Sequence, residues 1–233
     1  MNSKGFVYVA SLSSIFITAA RYSASSLKDH WPEANITLFT HPKWVVQSDY
    51  LLFDQIITRD VPFHIRAKLW ALDKTPYDLT CYIDCDTEVH HEDIKYIFDQ
   101  HDPDADISLT KTRPYAASID PKFPDGELVD HCGLFVYNKK KSTLRFMREW
   151  WNQYNKQTTN WEDYDPKLYP SYLKPWDMFA YWWLQNKTKF KIKRAFFPDP
   201  DARWNYVYVY KKEELQGTPV VISHRPVPRN QIK

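Results

Sequence analysis

Two carboxylates in the stretch CYIDCDTEV, Asp84 and Asp86, are the residues best placed to do chemistry. They stand one residue apart where an apolar run ends, and in an extended chain side chains two positions apart share a face. A carboxylate at the end of a buried strand is unfavourable unless something pairs with it. Two at one place repel each other, and a divalent cation relieves the repulsion. Oxygen ligands suit Mg²⁺ or Mn²⁺, and such a metal, held by few protein groups, keeps positions open for a substrate's phosphates. The pair therefore points to a metal that holds a diphosphate. The structural alternative is a turn or helix cap, with Asp86 and Glu88 merely solvated. A bare Asp-x-Asp is common by chance, and its place after a buried strand is what gives it weight. His90 and His91 follow closely, but adjacent residues on a strand or loop diverge, so they read as surface.

A site of this kind must be held by the elements around it. FVYVASL reads as a strand, followed by a helix with Phe16, Ala19, Ala20, Ser23 and Leu27 on one face. A leader peptide is the alternative for this N-terminal stretch, but serines interrupt its apolar run. NITLFT and FDQIIT are further strands. HIRAKLWALDKT is helical, with Ile65, Leu69 and Leu72 on one face, and Pro76 ends it. YDLTCYI is the next strand, HEDIKYIFDQH a short helix, and ADISLTK another strand. The alternation predicts an α/β layer with a largely parallel sheet, in which ligands sit beyond the carboxyl ends of the strands. Asp84 and Asp86 fall there.

The second half differs. LVDHCGLFVYN reads as a strand and STLRFMREWWNQYN as a helix with Leu144, Met147, Trp151 and Tyr154 on one stripe. Residues 156–175 are rich in proline and aromatics, WDMFAYWWLQN is helical, and strand-like pieces run on to VVISH. Seven of the ten tryptophans lie from Trp150 onward. Such rings stack on sugars, but they also fill cores. Trp151 and Trp183 read as core, while Trp161 and Trp176 are left open. Lys187, Lys189, Lys191 and Lys193 in KTKFKIKR alternate as on one strand face. That is the pattern of a solvated edge, and also one that would make weak contact with an anionic membrane surface.

Composition limits the functional classes. A chain of 233 residues with 43% hydrophobic and 26% charged residues is expected to fold as a single soluble domain. A formal net charge of +2 gives no reason to expect nucleic acid as a partner. Three cysteines match neither a disulfide framework nor a zinc pattern, so a reducing, cytoplasmic location is expected. The longest apolar run, from Met178 to Leu184, is far short of the ~20 residues of a transmembrane helix. The four glycines, Gly5, Gly126, Gly133 and Gly217, allow neither G-x-G-x-x-G nor a P-loop.

The block RAKLWALDKTPYDLTCYIDCDTEV resembles the centre of the GT-A fold glycosyltransferases, most closely the glycogenin-like and lipopolysaccharide galactosyltransferase group, family eight. VYVASLSSIFITAARYSASSLK resembles that group's first strand, nucleotide loop and helix. DHCGLFVYNKKKSTLRFMREW resembles its Asn-Ser-Gly strand and following helix, and WDMFAYWWLQN its Asp-Gln helix start. RWNYVYV resembles its Trp-Asn segment and VVISHRP its late histidine. The resemblance implies a nucleotide-diphosphate sugar donor, UDP foremost, a glycan or other hydroxyl acceptor, and Mn²⁺ or Mg²⁺ as cofactor. It implies metal binding by Asp84, Asp86 and His224, and donor contacts from Ala10, Ser11, Arg66, Lys68, Asp84, Asp86 and His131. It places Asp177 at the transfer centre, where helix N-capping is the structural alternative. His131-Cys132-Gly133 and Asp177-Met178 stand where the group has Asn-Ser-Gly and Asp-Gln, so the resemblance does not fix the donor sugar.

The expected function is metal-dependent sugar transfer, with residues 1–112 as the nucleotide-binding half and 113–233 as the acceptor half. In an inverting enzyme Asp177 would be the base, and in a retaining one it would sit near the anomeric carbon; the residues do not choose. A sugar-phosphate nucleotidyltransferase would need a glycine-rich basic loop after the first strand, which ASLSSIFI lacks. A carbohydrate- or nucleotide-sugar-binding protein that keeps the fold without turnover is the alternative from a different class.

Overall fold

The structure, a computed structural model, describes residues 3–113, 115 and 130–225. The expected α/β layer is built around a seven-stranded sheet of order β3-β2-β1-β4-β7-β6-β8. Its strands are β1 (Lys4–Ala10), β2 (Ile36–Thr40), β3 (Gln55–Ile57), β4 (Leu79–Ile83), β6 (Ile107–Leu109), β7 (Leu134–Asn138) and β8 (Arg194–Phe196). The first four run parallel, β7 is antiparallel to both β4 and β6, and β8 is parallel to β6. A second, two-stranded antiparallel sheet joins β5 (Thr87–Val89) to β9 (Ile222–His224).

Near-continuous apolar runs such as GFVYVA and LTCYI form the centre because parallel strands are covered on both faces. One face packs against α1 (Ser14–His30), which buries Ile17, Ala20, Ser23, Ala24 and Leu27. The other packs against α2 (Ala67–Ala71), α3 (Lys141–Thr159) and α4 (Asp177–Lys187). Inside the first layer the Tyr8 hydroxyl pairs with Ser23 at 2.9 Å, Ser23 pairs with Thr87 at 2.7 Å, and Thr87 donates to the Asp84 carbonyl at 2.9 Å. This chain of satisfied buried hydroxyls ties β1, α1 and the β4–β5 link together.

Several elements differ from expectation. Ile65 lies before α2 and is exposed, while Leu69 and Leu72 are buried as expected. The buried stripe of α3 is Phe146, Met147, Trp150 and Tyr154, so Trp150 and not Trp151 is the fully buried ring. Glu92–Gln100 winds as a 3₁₀ helix, and α3 runs on to Thr159 into the segment expected to be irregular. Leu128 and Val129, expected to open a strand, lie outside the described residues, and pairing begins at Leu134. Trp161 and Trp176 both pack against the aromatic core of α3 and α4.

The lysine stripe is not formed. Lys187 ends α4 and residues 188–193 are not a strand. Gln185 binds Ile192 on both its N–H and its C=O, the Asp106 side chain accepts from the Lys193 N–H at 2.9 Å, and the Lys193 carbonyl accepts from the Asp106 backbone N–H at 2.7 Å. Among the described residues no helix is long and apolar enough to cross a membrane.

Candidate functional site

Asp84, Cys85 and Asp86 are the whole link between β4 and β5. They leave the sheet where β4 neighbours β1, and β1 in turn neighbours β2 on its other side. This is the point at which strand order reverses and a crevice opens beyond the carboxyl ends. Register does the rest. Ile83 pairs with Leu134, so the Asp84 N–H donates to the Gly133 carbonyl at 2.9 Å. Thr87 pairs with His224, which sets the imidazole beside Asp86, with Nδ1 at 3.8 Å from Oδ1. Asp84, Asp86 and His224 each offer one ligand atom within 4.8 Å of the others.

The surroundings leave room there. A Cβ added to Gly133 would lie 2.7 Å from His131 Cε1, 2.8 Å from His224 Cε1 and 3.1 Å from Asp84 Oδ2. Burial and the neighbouring Asp86 charge push the Asp84 carboxyl above its usual range, and Lys68 opposes them. For Asp86 the burial effect is overcome by His224, which holds that carboxyl below its usual range. Two oxygen ligands and one imidazole nitrogen are a donor set that fits a divalent cation of the Mn²⁺ type.

Lys68 and Arg66 reach the same place from the start of α2. Lys68 Nζ lies 3.2 Å from Asp84 Oδ1, 2.9 Å from Asp177 Oδ2 and 3.1 Å from the Cys132 carbonyl. An ammonium has three donors, and all three face protein acceptors. Tyr82 gives Asp84 a further hydrogen bond of 2.5 Å. Arg66 contacts Asp177 Oδ1 at 3.5 Å and donates to the Pro175 carbonyl at 3.3 Å.

Asp177 opens α4, but its side chain does not cap the helix. It turns to the two cations, and Arg66 and Lys68 overcome the burial effect to bring its carboxyl down to about 2. The Trp150 indole N–H fixes the Asp177 carbonyl at 2.8 Å.

Ala10 ends β1 at the crevice, and Ser11 follows it. The Ala10 carbonyl accepts from Thr40, and the Ser11 hydroxyl donates to the Pro62 carbonyl at 2.5 Å. Next to them Leu12 has φ 69°, a left-handed conformation that is uncommon outside glycine and is enriched at functional loops. His131 is buried, and burial together with His224 and Lys68 lowers its ring pKa to about 3, so it is neutral.

A fold of this topology has counterparts among solved structures. The apo-form glycosyltransferase GlyE of Streptococcus pneumoniae TIGR4 matches with TM-score 0.62 and 14% identity, over 97% of this chain and 55% of GlyE. The galactosyltransferase LgtC, solved with donor and acceptor sugar analogs, matches with TM-score 0.52 and 14% identity, over 96% of this chain and 87% of LgtC. This chain has the GT-A fold. The bifunctional glycosyltransferase WbbM, in its apo structure, matches with TM-score 0.58 and 12% identity, over 97% of this chain and 46% of WbbM. The chain thus spans about half the length of GlyE and of WbbM. No family model and no curated protein matches the sequence.

On the GT-A framework Asp84, Asp86, His224, Lys68, Arg66, Asp177 and His131 converge, while Ala10 and Ser11 stand at the β1 side of the crevice. Sequence reasoning passed over two residues. Tyr82 reads as one more strand aromatic, yet its hydroxyl holds Asp84. Asn205 is fully buried, yet it bonds Thr110, His131 and His224. The Trp-Asn resemblance marked its segment but not its role.

Proposed function

We propose that the protein is a metal-dependent, hexosyltransferase-like glycosyltransferase that moves a sugar from a nucleotide-diphosphate sugar, with UDP as the nucleotide, to a hydroxyl of a glycan acceptor. The observation that carries this reading is the Asp84, Asp86 and His224 cluster at the reversal of strand order, with Gly133 leaving space beside it. LgtC, which has the same fold, is known with donor and acceptor sugar analogs, and this supports the reading.

Asp84, Asp86 and His224 would hold Mn²⁺ or Mg²⁺, and the imidazole favours Mn²⁺. Such an ion, when bound, neutralises charge that develops on a departing diphosphate. Ala10 and Ser11 border the nucleotide, and Arg66 and neutral His131 line the donor. Lys68 acts chiefly as the counter-ion that aligns Asp84 and Asp177, because its donors are occupied by protein. Asp177, held at about 2, is a poor proton acceptor near neutral pH. Its role is to orient Lys68 and Arg66 and to set negative charge beside the sugar carbon. The acceptor approaches from the 113–233 half.

The test is incubation with a panel of nucleotide-diphosphate sugars, with Mn²⁺ or with EDTA, and chromatography of the free nucleotide. Mn²⁺-dependent consumption of a UDP-sugar is expected in the parent and not in Asp86→Asn. Binding without consumption would favour a sugar-binding protein that keeps the fold. The absence of both binding and consumption would sink the reading.

A further inference from the structure

Asn205 sits where two histidines of the site meet. It follows the 3₁₀ turn Asp201–Trp204 and is fully buried. Its neighbour Tyr206 is stitched to β9 on both sides, with the Tyr206 N–H donating to the Ile222 carbonyl at 2.8 Å and the His224 N–H to the Tyr206 carbonyl at 2.9 Å. The amide is thereby fixed against His224. Asn205 Nδ2 lies 2.9 Å from Thr110 Oγ1 and 2.9 Å from His131 Nδ1, and Oδ1 lies 2.5 Å from His224 Nε2.

The proton positions follow from one donor that cannot be reversed. The Gly133 backbone N–H points at His131 Nδ1, at 3.4 Å. That nitrogen must then be an acceptor, and the His131 ring proton lies on Nε2. An accepting Nδ1 must be faced by the NH₂ side of Asn205. Its two hydrogens go to His131 and Thr110, so its oxygen faces His224. An amide oxygen only accepts, so His224 carries its proton on Nε2. In the neutral ring the bare nitrogen of His224 is therefore Nδ1, the atom that faces Asp86.

We infer that Asn205 is a positioning residue that locks His224 as the Nε2–H tautomer, with its Nδ1 lone pair turned toward Asp86 and free to ligate a divalent cation. The same amide relays the Gly133 N–H, through His131, to the metal-ligating histidine. This inference rests on the proposed metal site for its use, but the tautomer itself does not depend on any metal being bound. Outer partners that fix a ligating histidine typically change metal affinity by ~10–100-fold when removed.

The test reads imidazole nitrogens by two-bond ¹H–¹⁵N correlation in the metal-free protein, and Mn²⁺ affinity by electron paramagnetic resonance. The parent should keep the His224 proton on Nε2, with Nδ1 bare when the ring is neutral. Asn205→Ala should populate both tautomers of His224 and weaken Mn²⁺ binding by ~10–100-fold. Asn205→Asp keeps an acceptor for His224 Nε2–H but loses the donor to His131. It should retain the His224 tautomer and restore Mn²⁺ affinity to within several-fold of the parent, while the His131 nitrogen shifts change. A neutral parent His224 with its proton on Nδ1 and none on Nε2 would overturn the inference, as would parental Mn²⁺ affinity in Asn205→Ala. An aspartate variant that is folded yet as weak as the alanine variant would reduce Asn205 to packing and overturn it too. If the parent shows the expected tautomer but binds no Mn²⁺, the metal reading fails and the tautomer lock stands.

Discussion

Asp84 and Asp86 differ in their partners. The Asp86 carboxylate faces His224 at 3.8 Å, so Asp86→Asn should abolish most Mn²⁺ affinity while metal-free stability changes by less than ~1 kcal/mol. Burial and Asp86 disfavour the Asp84 charge, and an asparagine keeps an oxygen for Lys68 and Tyr82, so Asp84→Asn should lose the metal while metal-free stability holds or rises. Calorimetric Mn²⁺ titration beside urea unfolding checks both, and parental Mn²⁺ affinity in either variant, or a clear metal-free stability loss in Asp84→Asn, would contradict the assignment. Asp177 makes a pH prediction. Its folded pKa, about 2, lies below the unfolded value of ~3.9. Its contribution is therefore complete above the unfolded pKa and is lost as pH falls through the folded one. Between pH 5 and 2 the parent should lose ~2 kcal/mol more stability than Asp177→Asn. Parallel urea midpoints over that range would count against the buried ion pair. At this scale the aspartate pair was legible because its position after an apolar run is a local feature. Asn205 was not, because an amide becomes informative only when its partners are known, and His131, Thr110 and His224 come from three other parts of the chain.

At the scale of elements, the β4–β5 link works because β7 and β9 close on it from two sides. Gly133, just before β7, is the position where that closure is tightest. Gly133→Ala should destabilise by ~1–3 kcal/mol and also weaken Mn²⁺ binding, since His131, His224 and Asp84 must all give way. Gly5, in β1, is a control. A Cβ there would meet the Tyr77 ring at 2.2 Å, far from the metal ligands in the fold's opposite strand ends. Gly5→Ala should cost ~1–3 kcal/mol or more, and its folded fraction should bind Mn²⁺ like the parent. Loss of metal in both variants, measured where each is folded, would show that the site responds to general destabilisation. The strands and long helices were readable from apolar runs and helical spacing. Two errors have local causes. Trp150 and Trp151 are adjacent bulky rings, and spacing alone allowed the stripe to be set one residue late. The alternating lysines imitate a strand, but Gln185 and Asp106 satisfy the backbone that a neighbouring strand would have paired.

For the whole molecule, the βα alternation put the ligand site beyond the carboxyl ends of the strands, and the strand order puts it at the reversal between β1 and β4. The antiparallel β7 and the small β5–β9 sheet were not foreseeable from short apolar runs, because direction and pairing are set by contacts distant in sequence. Those same contacts carry His224 to the aspartates. The direct test of a metal-held diphosphate site is thermal unfolding of the parent and of Asp86→Asn with UDP, in Mn²⁺ and in EDTA. With UDP at ~100-fold over its dissociation constant, ligand binding adds ~2.7 kcal/mol. In Mn²⁺ the parent Tm should then rise by roughly 5–10 °C for a chain of this size, with no rise in EDTA and none in Asp86→Asn. An equal rise with and without Mn²⁺, or one that survives Asp86→Asn, would contradict a nucleotide held through the Asp84, Asp86 and His224 centre.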